Sequence, residues 1–127
     1  MKFINPLPFV QDIGKSVAFY RDVLQLNVVE DHGNFVQFEN GFALHDGASL
    51  YRTIFGKNPD ETGPYGRTNL VLYFEVEDLN AVYARIKPQV DLVHPILQQS
   101  WGQRVFRFYD PDRHLIEVGE PYLPDTI

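Results

Sequence analysis

The 127-residue chain has no cysteine, which removes disulfide frameworks, iron–sulfur clusters, thiolate zinc sites and thiol nucleophiles. Basic side chains are scarce as well, 11 against 17 acidic ones, for a formal net charge of −6. Nucleic-acid binding needs a basic stripe to neutralise phosphates, so no nucleic-acid partner is expected. There is no apolar run of membrane-spanning length and no charged-then-apolar leader, so the sequence predicts a cytoplasmic protein without a membrane partner. Neither a glycine-rich phosphate cradle nor a nucleophile elbow around Ser16, Ser49 or Ser100 is present. What the chain does have is 44% hydrophobic and 22% charged residues, enough apolar material to bury a core. Aromatics are plentiful: ten Phe, seven Tyr and a single Trp.

An internal repeat organises this material. Val10-Gln11-Asp12-Ile13 recurs as Val76-Glu77-Asp78-Leu79, an offset of 66 residues, about half the chain. Each copy follows an extended segment, Asn5 to Val10 in one case and Asn69 to Val76 in the other. Each also precedes a helical pattern: Asp12 and Asp78 are N-cap candidates, followed by Ile13, Val17, Tyr20 and Leu24, and by Leu79, Val82, Tyr83 and Ile86. Three strand-like runs then follow in each half. In the first half they are Asn27 to Glu30, Asn34 to Glu39 and Gly41 to His45, with turns at His32-Gly33 and Asn40-Gly41. In the second half they are Leu92 to His94, Arg104 to Tyr109 and His114 to Gly119, the last two joined across Asp110 to Arg113. The sequence thus predicts an α+β fold of two βαβββ modules within one domain, 1–127. Module one covers about 1–48 and module two about 69–122, with a loop over about 46–68 that holds a short helix at Ser49 to Phe55.

This tandem arrangement, with VQDIGKSVAFYRDVLQL near the start and WGQRVFRFYDPDRHLIEVGE near the end, resembles the vicinal oxygen chelate superfamily. That is the glyoxalase, bleomycin-resistance and extradiol-dioxygenase group. The resemblance implies an open eight-stranded mixed-sheet cup with helices outside, paired as a homodimer. Two positions depart from the family pattern: Gln25 and Arg113 stand where it has glycine. Both are expected to need φ > 0, which costs a residue with a β-carbon about 1 kcal/mol.

Metal-dependent members of the family take ligands from the first strand of each module, the fourth strand and the last strand. The resemblance maps these positions onto Asn5, Val71, the neighbourhood of Ala43 with His45 two residues on, and Glu117. A zinc site needs about three side-chain ligands, and valine offers none. No cofactor is therefore expected, and any divalent metal would have to rest on His45 and Glu117. His32 in a turn, His94 before Pro95 in a loop and His114 at a strand start are read as solvated or structural.

Glu117 remains as the candidate catalytic carboxylate or polar anchor. With a four-residue turn at Asp110 to Arg113, Phe106 faces Glu117, and Arg104, Phe106 and Phe108 share its side of the sheet. Arg104 is then its diagonal ion-pair partner, whereas a one-residue slip puts Arg107 there instead. The candidate ligand-binding set is Asn5, Phe9, His45, Tyr73, Trp101, Arg104, Phe106 and Phe108. Phe35 is a further aromatic for the same wall, and core packing is the competing role for every one of these rings. The expected function is binding of a small organic ligand without the usual metal, in the manner of bleomycin-resistance proteins. The alternatives are a glyoxalase-type lyase, isomerase or dioxygenase using His45 and Glu117, and an interaction module filled by its own side chains. Whether the chain is an enzyme stays open at the level of sequence.

Overall fold

The computed structural model describes residues 1–61 and 63–122. In chain order they form β1 (Phe9–Val10), α1 (Ile13–Asp22), β2 (Val28–Asp31), β3 (Phe35–Phe38) and β4 (Ala43–Asp46). Then come α2 (Gly47–Phe55), β5 (Val71–Glu75), α3 (Leu79–Ile86), β6 (Asp91–Gln98), β7 (Arg104–Tyr109) and β8 (Leu115–Gly119). The chain divides into two compact units, Met1–Tyr65 and a second that begins at Gly66. Each holds one four-stranded mixed sheet, in the orders β1-β4-β3-β2 and β5-β8-β7-β6. In each, the first and last strands of the module run parallel and the other neighbours antiparallel. This is the α+β, twice βαβββ architecture that the repeat predicts. Thr62, inside the expected loop, and residues 123–127 of the expected domain lie outside the described residues.

Local chemistry starts the helices. Asp12 accepts a hydrogen bond from the Lys15 N–H at 3.1 Å, and Asp78 accepts from the Ala81 N–H at 3.1 Å. Asp46 caps α2 in the same way, accepting from Ser49 N–H at 3.0 Å, and Gly56 ends that helix with φ of 75°. Two strands and one turn depart most from expectation. β1 is only two residues long, because Pro6 and Pro8 lack the N–H a ladder needs. The Asn40-Gly41 turn is a short 3-10 helix, Glu39–Gly41. β6 runs through His94 and Pro95 to Gln98, so His94 is a strand residue and not a loop residue. β6 is an edge strand with two register shifts, the setting in which a sheet tolerates proline.

One face of each sheet carries the module's core. In the first unit Val10, Val36, Phe38 and Leu44 are buried with Tyr20 of α1, whose ring lies 4.8 Å from Phe42 and 6.1 Å from Phe38. In the second, Leu72, Phe106, Phe108, Ile116 and Val118 are buried with Leu79 and Ile86 of α3, and Tyr83 meets Phe106 edge-on at 5.0 Å. Each such buried side chain contributes roughly 1.5–3 kcal/mol relative to exposure.

Gln25 (φ 59°) and Arg113 (φ 65°) both adopt the left-handed conformation expected at the two non-glycine departures. Arg113 offsets its strain by pairing with Asp91 at 2.6 Å and lying 3.7 Å over the Tyr109 ring. Gln25 is exposed and has no such compensation among the described residues. Gln25→Gly is therefore expected to stabilise the protein by about 1 kcal/mol, a rise of roughly 3–5 °C in Tm. A calorimetric scan showing an unchanged or lower Tm would refute the strain.

Candidate functional site

The second sheet turns a polar and aromatic face away from α3, and its composition follows from the β7–β8 register. That register pairs Phe106 with Val118, Arg107 with Glu117 and Phe108 with Ile116. The connecting turn is one residue longer than expected. Asp110 accepts from the N–H groups of Asp112 (2.8 Å) and His114 (2.9 Å), while the Asp110 N–H donates to the His114 carbonyl at 3.0 Å. With a period of two, that one residue exchanges the faces. Phe106 and Phe108 are thus fully buried on the helix side, and Arg104 does not pair with Glu117. These three expected placements are corrected.

Arg107 takes the position beside Glu117 and organises its surroundings. Its Nε donates to Glu117 Oε1 at 2.7 Å, Nη1 to His94 Nε2 at 2.9 Å and Nη2 to Gln99 Oε1 at 3.1 Å. Guanidinium N–H groups only donate, so His94 Nε2 is the acceptor. His94 Nδ1 lies 2.7 Å from the Pro95 carbonyl, which only accepts, so the ring is the neutral Nδ1–H tautomer. The Arg107 and Glu117 side chains are 24% and 14% exposed, a partly desolvated, charge-assisted pair.

Next to it stands a second network around Gln103, which is 5% exposed. Its Oε1 accepts from Trp101 Nε1 at 2.9 Å, and its Nε2 donates to Tyr73 OH at 2.7 Å and to the Glu120 carbonyl at 2.8 Å. Gly119 makes this possible, because a β-carbon there would fall 2.7 Å from Gln103 Nε2. The Trp101 and Tyr73 rings, each 49% exposed, are held while still facing outward. Arg104 binds Glu120 with its backbone N–H (2.9 Å), Nε (3.2 Å) and Nη2 (3.1 Å), and Nη1 reaches Asn80 at 3.4 Å. The hydrogen bonds from Arg104 hold the Glu120 carboxyl below the usual carboxylate range. Gln103 is an organising residue that the sequence reading did not single out, whereas Arg107 takes the place beside Glu117 that the one-residue slip assigns to it.

In the first unit, Phe9, His45 and Phe35 form one cross-strand row. His45 is half-buried, its Nδ1 3.0 Å from the Asp46 carbonyl and its ring 6.0 Å from Phe35. Phe9 meets Tyr65 edge-on at 5.5 Å. Asn5 precedes β1 and belongs to no strand. His32 is exposed beside Glu30 at 3.2 Å, and the His114 N–H serves the β7–β8 turn.

The registers also superpose the modules in sequence. Phe9 pairs with His45 as Glu75 pairs with Gly119, and Phe9 and Glu75 differ by the repeat offset (75 − 9 = 66). Two residues earlier, Ala43 is therefore the counterpart of Glu117, and Gln37, opposite Ala43, is the counterpart of Arg107. The positions that supply metal ligands in the family thus read Asn5, Val71, Ala43 and Glu117, and the carboxylate is engaged by a guanidinium. This donor set does not fit a catalytic metal, which needs about three ligands. Among the described residues no group of three or more His, Asp or Glu side chains could hold an ion.

Residues 3–122 match the family model of the glyoxalase-like domain. The chain belongs to that family, and through it to the vicinal oxygen chelate superfamily. It is 30% identical over 125 residues to the bleomycin resistance protein of Geobacillus stearothermophilus, covering 91% of this chain and 93% of that one. A protein of unknown function from Agrobacterium tumefaciens is similar in structure, with a TM-score of 0.91 and 55% identity over 96% of this chain and 95% of that one. A lactoylglutathione lyase from the same organism shares the fold, with a TM-score of 0.71 and 22% identity, covering 94% and 92%. Among the described residues no helix is long and apolar enough to cross a membrane.

Proposed function

We propose that this chain binds a small organic molecule on the outward face of its second sheet, and does so without a resident metal. The observation that carries the reading is the Arg107–Glu117 pair: the one carboxylate at a family ligand position is held by a guanidinium at 2.7 Å. Apolar and aromatic surface with a few convergent polar groups is what small-molecule sites present. Trp101 and Tyr73 supply the first, and Arg107, Glu117 and His94 the second. The 30% identical relative bears the name of a bleomycin resistance protein, which supports a small organic molecule as the ligand.

A cytoplasmic homodimer completes the proposal. β1 and β5 are edge strands, and Leu70 and Val71 expose apolar side chains at the start of β5, the kind of edge a partner covers. A chain without cysteine needs no oxidising compartment. Native mass spectrometry of protein taken from the host's cytoplasmic fraction tests the oligomeric state, the metal and the compartment. The expected mass is twice 14.7 kDa with no transition-metal ion attached. A monomer, a stoichiometric zinc, nickel or iron adduct, or absence from that fraction would overturn the corresponding part.

A further inference from the structure

We infer that the ligand of this face is neutral and planar, and carries a hydrogen-bond acceptor and donor side by side, as an amide or lactam edge does. The inference rests on the small-molecule reading above and narrows it to a chemical class. A guanidinium has five N–H bonds. Arg107 uses three of them, on Glu117, His94 and Gln99, and the other two have no partner among the described residues. Glu117 uses Oε1 for Arg107, and its Oε2 has no partner among the described residues. On adjacent strands, then, stand two spare donors and one spare acceptor, at side chains 24% and 14% exposed.

Charge decides what fits. The two ions already neutralise each other, so an entering anion meets the Glu117 carboxylate and an entering cation meets the Arg107 guanidinium. An amide meets neither penalty: its carbonyl accepts from Arg107 while its N–H donates to Glu117 Oε2. Leaving those groups without partners under a bound apolar ring would be costly, so the matching edge is selected against plain hydrocarbons too. The aromatic part of the ligand has its own platform. Tyr73 pairs with Glu117 across β5 and β8, and its ring reaches over Gly119 to Gln103, which also holds Trp101. Gly119 is two residues beyond Glu117 on the same face, roughly 7 Å, the span of one ring and its substituent.

Three probes of one shape and different charge test this: benzamide, benzoate and benzamidinium. Trp101 is the sole tryptophan, so its fluorescence reports the rim directly. Benzamide should change it saturably and bind about tenfold more tightly than either ion, because like charges at close range are strongly rejected. Glu117→Gln should shift the preference to benzoate, and Arg107→Met should shift it to benzamidinium. Should either variant fail to fold, the ranking on the unaltered protein decides alone. A charged probe that binds the unaltered protein as tightly as benzamide overturns the ligand class and leaves the small-molecule reading standing. No saturable change with any probe at about 10 mM, the weak end for so small a ligand, overturns both.

Discussion

Gly66→Ala is expected to destabilise the protein by about 2–4 kcal/mol. Gly66 lies against the turn between β7 and β8: its N–H donates to the Asp112 carbonyl at 2.9 Å, and a β-carbon would overlap the Arg113 carbonyl. The obstacle is backbone, and that backbone is fixed from several sides. Asp110 holds the N–H groups of Asp112 and His114, Asp110 and Asp112 are 3% and 2% exposed, and Arg113 is committed to Asp91. The segment must therefore retreat and give up its hydrogen bond. Gly33→Ala is the control, since Gly33 has φ of 82° but nothing within 4 Å of an added β-carbon. It should cost only the conformational term, about 1 kcal/mol. Urea denaturation at constant m separates the two. Equal midpoints for both variants would show that the turn at Arg113 yields to the added methyl group without further cost.

The same turn explains where sequence reasoning stopped. The repeat, the caps at Asp12 and Asp78 and both helices were legible, because each depends on residues within a few positions of one another. The left-handed conformations at Gln25 and Arg113 were legible too, since the family pattern has glycine there. The β7–β8 register was not, because a side chain, Asp110, lengthens the turn by one residue. A signal for the correct register was nevertheless present. Pairing Phe106 and Phe108 with Val118 and Ile116 puts all four apolar chains on one face and leaves Arg107 with Glu117 on the other. The alternative sets Glu117 among Phe106 and Phe108 and sets Arg107 among Ile116 and Val118. His94 was missed for a different reason. Pro95 reads as a strand breaker, and only the position of β6 at the sheet edge makes it acceptable. Gln103 was invisible because its role depends on Tyr73, 30 residues away, and on the space at Gly119.

Removing the Arg107 guanidinium is expected to cost about 1–3 kcal/mol of stability, because it leaves the 14%-exposed Glu117 carboxylate without its partner. Gln99 and His94 lose a donor in the same step. Arg107→Met retains much of the apolar stem, so the change reports the head group and not a cavity. Arg104→Met should cost less, since its pair with Glu120 is more open to water, 39% and 27% exposed. The informative variant is the double one, Arg107→Met with Glu117→Leu. Replacing a whole partly buried ion pair by apolar side chains is often neutral or stabilising, because the desolvation of both charges is removed together. The double variant should therefore recover most of the stability lost by Arg107→Met. Ligand binding, read from Trp101 fluorescence, should not return, since the donors and the acceptor are both gone. Those two readouts separate the roles of the pair. If binding returns with stability, the pair serves only to hold β7 against β8 and the recognition site lies elsewhere. If stability stays low while the double variant folds normally, the pair contributes more to stability than its desolvation costs.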